Sequence, residues 1–253
     1  MKGYRSYIPL GWLLNALARM PLKVLYIFSD ILFVVMYHIV RYRRNVAMTN
    51  ITESFPDKSP EECRKICRDF FRHFSDYIVE TVKLGHISDD EIKRHIEFTG
   101  CEILDKYFDQ GRSMVVYFSH CGNWEWATSL TLWMRHKPSS DLVYAQVYRP
   151  LTNKWFDSYF LKLRSRFGSV SYDKRMVFRH LIMLRRDNIQ SITGFMSDQK
   201  PSHNDPVHIV KFLNHPTAVI TGTETVVRKL DMVAVYWDME KTGRGHYRLN
   251  ARV

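Results

Sequence analysis

From residue 95 onward, short apolar runs alternate with stretches whose apolar residues recur at three- and four-residue steps. HIEFTG (95–100), SMVVYFS (113–119), DLVYAQVY (141–148), SVSY (169–172), SITGFM (191–196) and MVAVYW (232–237) read as strands. CEILDKYFDQ (101–110), halted by Gly111, and stretches near 123–134, 151–167, 175–187 and 218–230 read as helices between them. A strand that returns through a helix comes back parallel to the one before it, so the pattern predicts an α/β fold. Its mostly parallel central sheet is flanked by helices.

Upstream the pattern is helical throughout. In 59–84, Ser59 can cap a helix with Pro60 in its first position and Glu61 and Glu62 in its first turn. Ile66, Phe70, Phe74, Tyr77, Ile78 and Val82 then form an apolar stripe that must face a core, a partner or lipid. Before it, GWLLNALARMP (11–21) and VLYIFSDILFVVMYHIV (24–40) are apolar and closed by the arginines of RYRRN (41–45). Lys23, Asp30 and His38 interrupt a run that a spanning helix would want apolar for about 20 residues. No small-residue cleavage site follows it, so it is read as a retained membrane anchor, spanning or interfacial, with a helical hairpin packed on the main body as the competing reading. Trp12, Tyr26, Tyr37 and Tyr42 suit a membrane interface, and the arginines favour a cytoplasmic flank. The expected organisation is an anchoring segment over 1–45, a helical region packing on the core over 46–94, and an α/β domain over 95–253.

The chain's 253 residues are 45% apolar, enough for a buried core. A net charge of +11 favours polyanionic partners: an anionic membrane, an acidic carrier protein or nucleic acid. Nucleic acid is disfavoured because the basic residues are dispersed and no recognition module is visible. Four cysteines without a CxxC argue for a reducing compartment rather than a disulfide framework. Cys63 and Cys67, with His73 nearby, are too few ligands for tetrahedral zinc and read as structural; no metal is expected.

The densest chemistry is SHCGNWEW (119–126), directly after the buried strand MVVYF. In open α/β sheets ligands sit beyond the carboxyl ends of the strands, where His120 falls. Asn123 can cap the following helix, Gly122 frees the turn, and Glu125 lies in the first helical turn. The H-x4-E spacing lets Glu125 hydrogen-bond one imidazole nitrogen while the other faces the crevice, as a general base requires. Cys121 as a nucleophile, giving a thioesterase, and an ordinary strand-to-helix turn are the alternatives.

GCEILDKYFDQGRSMVVYFSHCGNWEW (100–126) resembles the G-x-E-x-L … H-x-G-N-W-E signature of the lipid A biosynthesis lauroyl and myristoyl acyltransferases, a branch of the lysophospholipid acyltransferase superfamily. RRNVAMTNITESFPDKS (43–59), VYRPLTNKWFDSYFLKLRSRFG (147–168) and FMSDQKP (195–201) resemble further segments of that family in the same order, so the likeness runs from about residue 40 to 250. The resemblance implies His120 and Glu125 as the catalytic pair, Arg149 and Arg164 as binders of anionic substrate groups, and Asp198 as a support that holds an arginine or positions the acceptor. It implies acyl transfer from acyl carrier protein, or acyl-CoA, to a hydroxyl of a lipid A precursor. The place is the cytoplasmic face of a bacterial inner membrane, with no cofactor beyond the acyl donor. Aminolipid or lysophospholipid acceptors would use the same chemistry, and a lipid-binding protein with a decayed site is the non-enzymatic alternative. Two departures stand out. Phe212-Leu213-Asn214 replaces the family's aromatic-aromatic-Gly segment, which bears on the acyl or acceptor pocket, and the resemblance implies further elements after Val253.

Overall fold

The computed structural model describes residues 7–203 and 205–253. They fall into two compact units, one comprising 88–207, 220–253 and the stretch up to Leu10, the other 11–87 with 208–219.

The first unit is the expected α/β body. Its elements are α5 (Asp89–His95), β1 (Ile96–Thr99), α6 (Cys101–Asp109), β2 (Met114–Phe118), β3 (Leu142–Tyr148), α7 (Lys154–Arg164), β4 (Val170–Asp173), α8 (Val177–Arg186), β5 (Gln190–Met196), α9 (Gly222–Leu230), β8 (Val233–Gly243) and β9 (His246–Arg252). Seven strands form one sheet in the order β1-β9-β8-β2-β5-β3-β4. Every pairing is parallel except β8 with β9. β2 sits in the middle with Met114, Val115 and Val116 buried, which explains its unbroken apolar run: a central parallel strand has helices over both faces. On one face Val115 and Phe195 pack with Val177 and Leu181 of α8 and Val226 of α9.

Where the sequence expects a helix over 123–134, the chain forms a tighter 3₁₀ turn, Trp126–Leu132. Two hydroxyls, one buried and one half-buried, explain part of this tightening: Ser129 Oγ donates to the Trp126 carbonyl at 2.7 Å and Thr128 Oγ1 to the Glu125 carbonyl at 2.8 Å, both three residues back. β9 is a strand beyond those expected from the sequence. Its signal is the alternation of buried Tyr247 and Leu249 with exposed His246 and Arg248. It slips between β1 and β8, parallel to the first and antiparallel to the second, so that β1 and β9 run opposite to the other five strands.

The second unit holds α1 (Ile8–Arg19, from Gly11 on), α2 (Leu22–Phe33, continued by a π-turn over Val34–Ile39), α3 (Arg44–Ser54), α4 (Pro60–Lys83) and most of a hairpin of β6 (Val207–Phe212) and β7 (His215–Ile220). The start of α4 is as expected: Ser59 Oγ accepts from the Glu62 backbone N–H at 3.2 Å while the Glu62 carboxylate takes the Ser59 N–H at 2.8 Å. Its buried face differs. Cys63, Cys67, Phe71, Ser75 and Val79 turn inward, and Cys67 and Phe71 pack with Phe33, while Phe70 is exposed and Ile66, Phe74, Tyr77, Ile78 and Val82 are half-buried. α4 is apolar over a wide arc, and packing against α2 and α3 selected a stripe one residue round from the one the spacing suggests. Phe212-Leu213-Asn214 proves to be the hairpin's turn, with Leu213 and Asn214 both left-handed (φ 47° and 66°) and Phe212 and Leu213 exposed.

Candidate active site

β2 and β5 are neighbours, and Phe118 lies opposite Met196 at their carboxyl ends. Two residues further along each chain stand His120 and Asp198, and the parallel register carries both to the same point of the sheet's rim. Gly194 of β5 allows the approach, since a Cβ there would lie 2.8 Å from the Phe118 ring.

Asp198 receives two donors from one residue. The His120 backbone N–H reaches its Oδ2 at 2.8 Å, and the imidazole Nδ1 lies 2.8 Å from its Oδ1. A carboxylate only accepts, so the ring proton sits on Nδ1 and Nε2 carries the lone pair. Nε2 has no hydrogen-bond partner among the described residues, and the ring meets Trp124 edge to face at 5.0 Å. The imidazole is therefore fixed on two sides and open at its basic nitrogen. Burial works to raise the Asp198 pKa, but the hydrogen bonds from the His120 side chain and backbone outweigh it and hold the carboxyl below its ordinary value.

This corrects one expectation. The carboxylate on the imidazole is Asp198 rather than Glu125. Glu125 is almost fully buried and grips Arg164, whose Nε and Nη2 donate to its two oxygens at 2.8 and 2.6 Å. Arg164 ends α7, so the pair ties that helix to the turn after His120. Glu125 stands at the head of the 3₁₀ turn that opens with buried Trp126 and is itself buried, so its carboxylate needs a partner inside the body, which Arg164 supplies. Nor does Asp198 hold an arginine among the described residues.

The remaining expected residues fall as follows. Asn123 caps its turn, its Oδ1 accepting from the Trp126 N–H at 3.2 Å. Gly122 is left-handed (φ 64°), and a Cβ there would collide with the Met239 side chain, so β8 closes over the turn. Arg149 follows β3 at the same carboxyl rim of the sheet, exposed and without an ion pair among the described residues. Cys121 is exposed, its Sγ 3.9 Å from the Met239 carbonyl oxygen rather than against the imidazole. Among the described residues no group of three or more His, Cys, Asp or Glu could hold a metal, and Cys63 and Cys67 are buried thiols.

A histidine with a fixed tautomer and an open basic nitrogen, at the carboxyl rim of a mostly parallel sheet, is an arrangement able to take up a proton from a bound substrate, and it places the chain among α/β proteins with an enzyme-like site. The comparison with known families makes this specific. Residues 6–252 match the bacterial lipid A biosynthesis acyltransferases, and the chain belongs to that family. No curated protein gives a significant match.

Proposed function

We propose that this acyltransferase is membrane-associated and moves a fatty acyl chain from the thioester of acyl carrier protein, or of acyl-CoA, to a hydroxyl of a lipid A precursor. His120 is its general base. The observation that carries this reading is the open Nε2 on an imidazole whose other nitrogen is held by Asp198. Nε2 takes the hydroxyl proton as that oxygen attacks the thioester carbonyl carbon. The C–S bond then breaks, and the departing sulfur receives the proton from the imidazolium. Asp198 keeps its charge throughout and stabilises the imidazolium. A thiolate leaves readily, so no acyl-enzyme is required. Holding both substrates together offsets about 7–11 kcal/mol of the barrier in well-oriented systems.

Glu125 and Arg164 are positioning residues in this scheme. Their bidentate pair fixes the turn that carries His120. Arg149, exposed at the rim, is the candidate for a substrate phosphate, since a guanidinium fork matches two phosphate oxygens. The net charge of +11 suits an acidic carrier, a phosphorylated acceptor and an anionic membrane together. The place proposed is the cytoplasmic face of the bacterial inner membrane.

The test is transfer of a labelled acyl chain from carrier protein to lipid A precursor by the purified chain, with the ester identified by mass spectrometry. His120→Ala should abolish it. Near-normal transfer by that variant overturns the base assignment, and release of free fatty acid without ester overturns the acceptor.

A further inference from the structure

α2 and its π-turn form, over Leu22–Ile39, the one stretch among the described residues long and apolar enough to cross a membrane. Its two faces differ in kind. Leu22, Leu25, Ser29 and Phe33 are buried, and this face is bound to α4 by polar contacts. Ser29 Oγ donates to Asp76 Oδ1 at 2.7 Å, Tyr26 OH donates to Glu80 Oε1 at 2.9 Å, and the Arg72 guanidinium lies 4.7 Å over the Phe33 ring and 3.6 Å from Asp30. The opposite face, through Val24, Ile27, Phe28, Ile31 and Val35, is entirely apolar and exposed. Asp30 and Lys23 fall on the flank between the two faces, as their angular positions on a helix require.

These contacts are incompatible with crossing the bilayer. Were α2 to span while docked, α4 would enter the hydrocarbon beside it, carrying Arg64, Lys65, Arg68, Asp69 and Arg72 on its surface. Were it to undock, Tyr26, Ser29 and Asp30 would lose these partners inside lipid. We infer that α2 lies in the plane of one leaflet, its Ile27–Ile31 face sunk into the acyl boundary of an anionic membrane and its inner face still on α4. It rests on the membrane association proposed above. Charge chooses the occupant: Arg41 and Arg43, just beyond the helix, are exposed and pair with no carboxylate among the described residues, so they suit phosphate headgroups.

The test uses the full chain carrying Cys101→Ser and Cys121→Ser, with one introduced cysteine (Val24→Cys, Ile31→Cys or Ile39→Cys) labelled with an environment-sensitive fluorophore. The protein is added to phosphatidylcholine–phosphatidylglycerol vesicles. An in-plane helix places all three labels at one shallow depth, quenched best by a lipid quencher near the headgroup, and all are reduced by dithionite from the side of addition. A deep label at 31, with those at 24 and 39 on opposite faces of the bilayer, overturns the inference and leaves membrane association intact. Absence of quenching together with failure to co-sediment with vesicles overturns association itself; if the chain is then dimeric, the face serves a second copy. Ile27→Glu with Ile31→Glu should lower vesicle partitioning about ten-fold or more, since both charges would meet the acyl boundary. The folded circular dichroism spectrum should be kept, because neither side chain is buried.

Discussion

Exchanging one carboxylate oxygen for an amide tests the site most sharply. Asp198 accepts two N–H groups from His120, each at 2.8 Å. In Asp198→Asn the side chain has a single acceptor oxygen. If that oxygen keeps the backbone N–H, the amide N–H meets Nδ1, and the ring proton must move to Nε2. If the amide turns over, its N–H points at the backbone N–H, donor against donor, and the loop shifts. Either way Nε2 is no longer a positioned base, so Asp198→Asn should lower kcat by about 10²–10⁴, the usual worth of a general base. That is about 2.7–5.4 kcal/mol of transition-state stabilisation. Glu125→Gln perturbs something else. It leaves the Arg164 guanidinium against a neutral amide at a nearly buried site. Breaking a buried pair costs about 3–5 kcal/mol, and the partial exposure of Arg164 argues for the lower end. A loss near 3 kcal/mol lowers Tm by about 6–12 °C in a protein of this size. Acyl transfer at saturating donor and thermal unfolding, measured on both variants, separate the two effects. Asp198→Asn should lower kcat by the larger factor at the smaller cost in Tm, whereas Glu125→Gln should lower Tm more and kcat less, through the turn that carries His120. Retained transfer in Asp198→Asn, with complete loss in a thermally unchanged Glu125→Gln, would return the catalytic carboxylate to Glu125 and refute the geometry.

Arg149→Gln should raise KM for the phosphorylated acceptor several-fold at little cost in kcat, read from initial rates at varied acceptor; an unchanged KM removes Arg149 from the binding site. Cys121→Ser should keep transfer, and a bulky thiol reagent should label Cys121 well before Cys101, whose thiol is pushed up to about 12 by burial with help from Asp105 and Glu102; free fatty acid as the product, with activity lost in Cys121→Ser, would revive the thioesterase alternative. Gly122→Ala should destabilise by about 1–3 kcal/mol through the left-handed backbone and the clash with Met239, checked by denaturant unfolding. Because the Asp198 carboxyl is held below its ordinary value of 3.8, its contribution to stability should be complete above that pH and lost as pH falls through the folded value. The stability gap between the wild type and Asp198→Asn should therefore be constant at neutral pH and narrow only in acid.

The sequence by itself determined what is local. The β2 run MVVYF, the Ser59–Glu62 capping box, the Asn123 cap and the placing of His120 at a strand's end each depend on residues within a few positions of one another. Periodicity and capping chemistry read such features directly. So does the α/β alternation, since a crossover helix is enforced by parallel pairing whatever the order of the strands. The tertiary structure alone decided which carboxylate meets His120. Asp198 lies 78 residues away and arrives because β2 and β5 are neighbours in register, a fact of strand order that no local spacing encodes. The same holds for Glu125, whose partner Arg164 is 39 residues on, and for β9, whose partners β1 and β8 were set by sheet order. It holds too for α2, where composition allows a spanning helix and only docking on α4 divides it into a polar-bonded face and an apolar one. Apolar patterning fixes which residues seek burial or lipid; the partner each polar group finds depends on elements that only folding brings together.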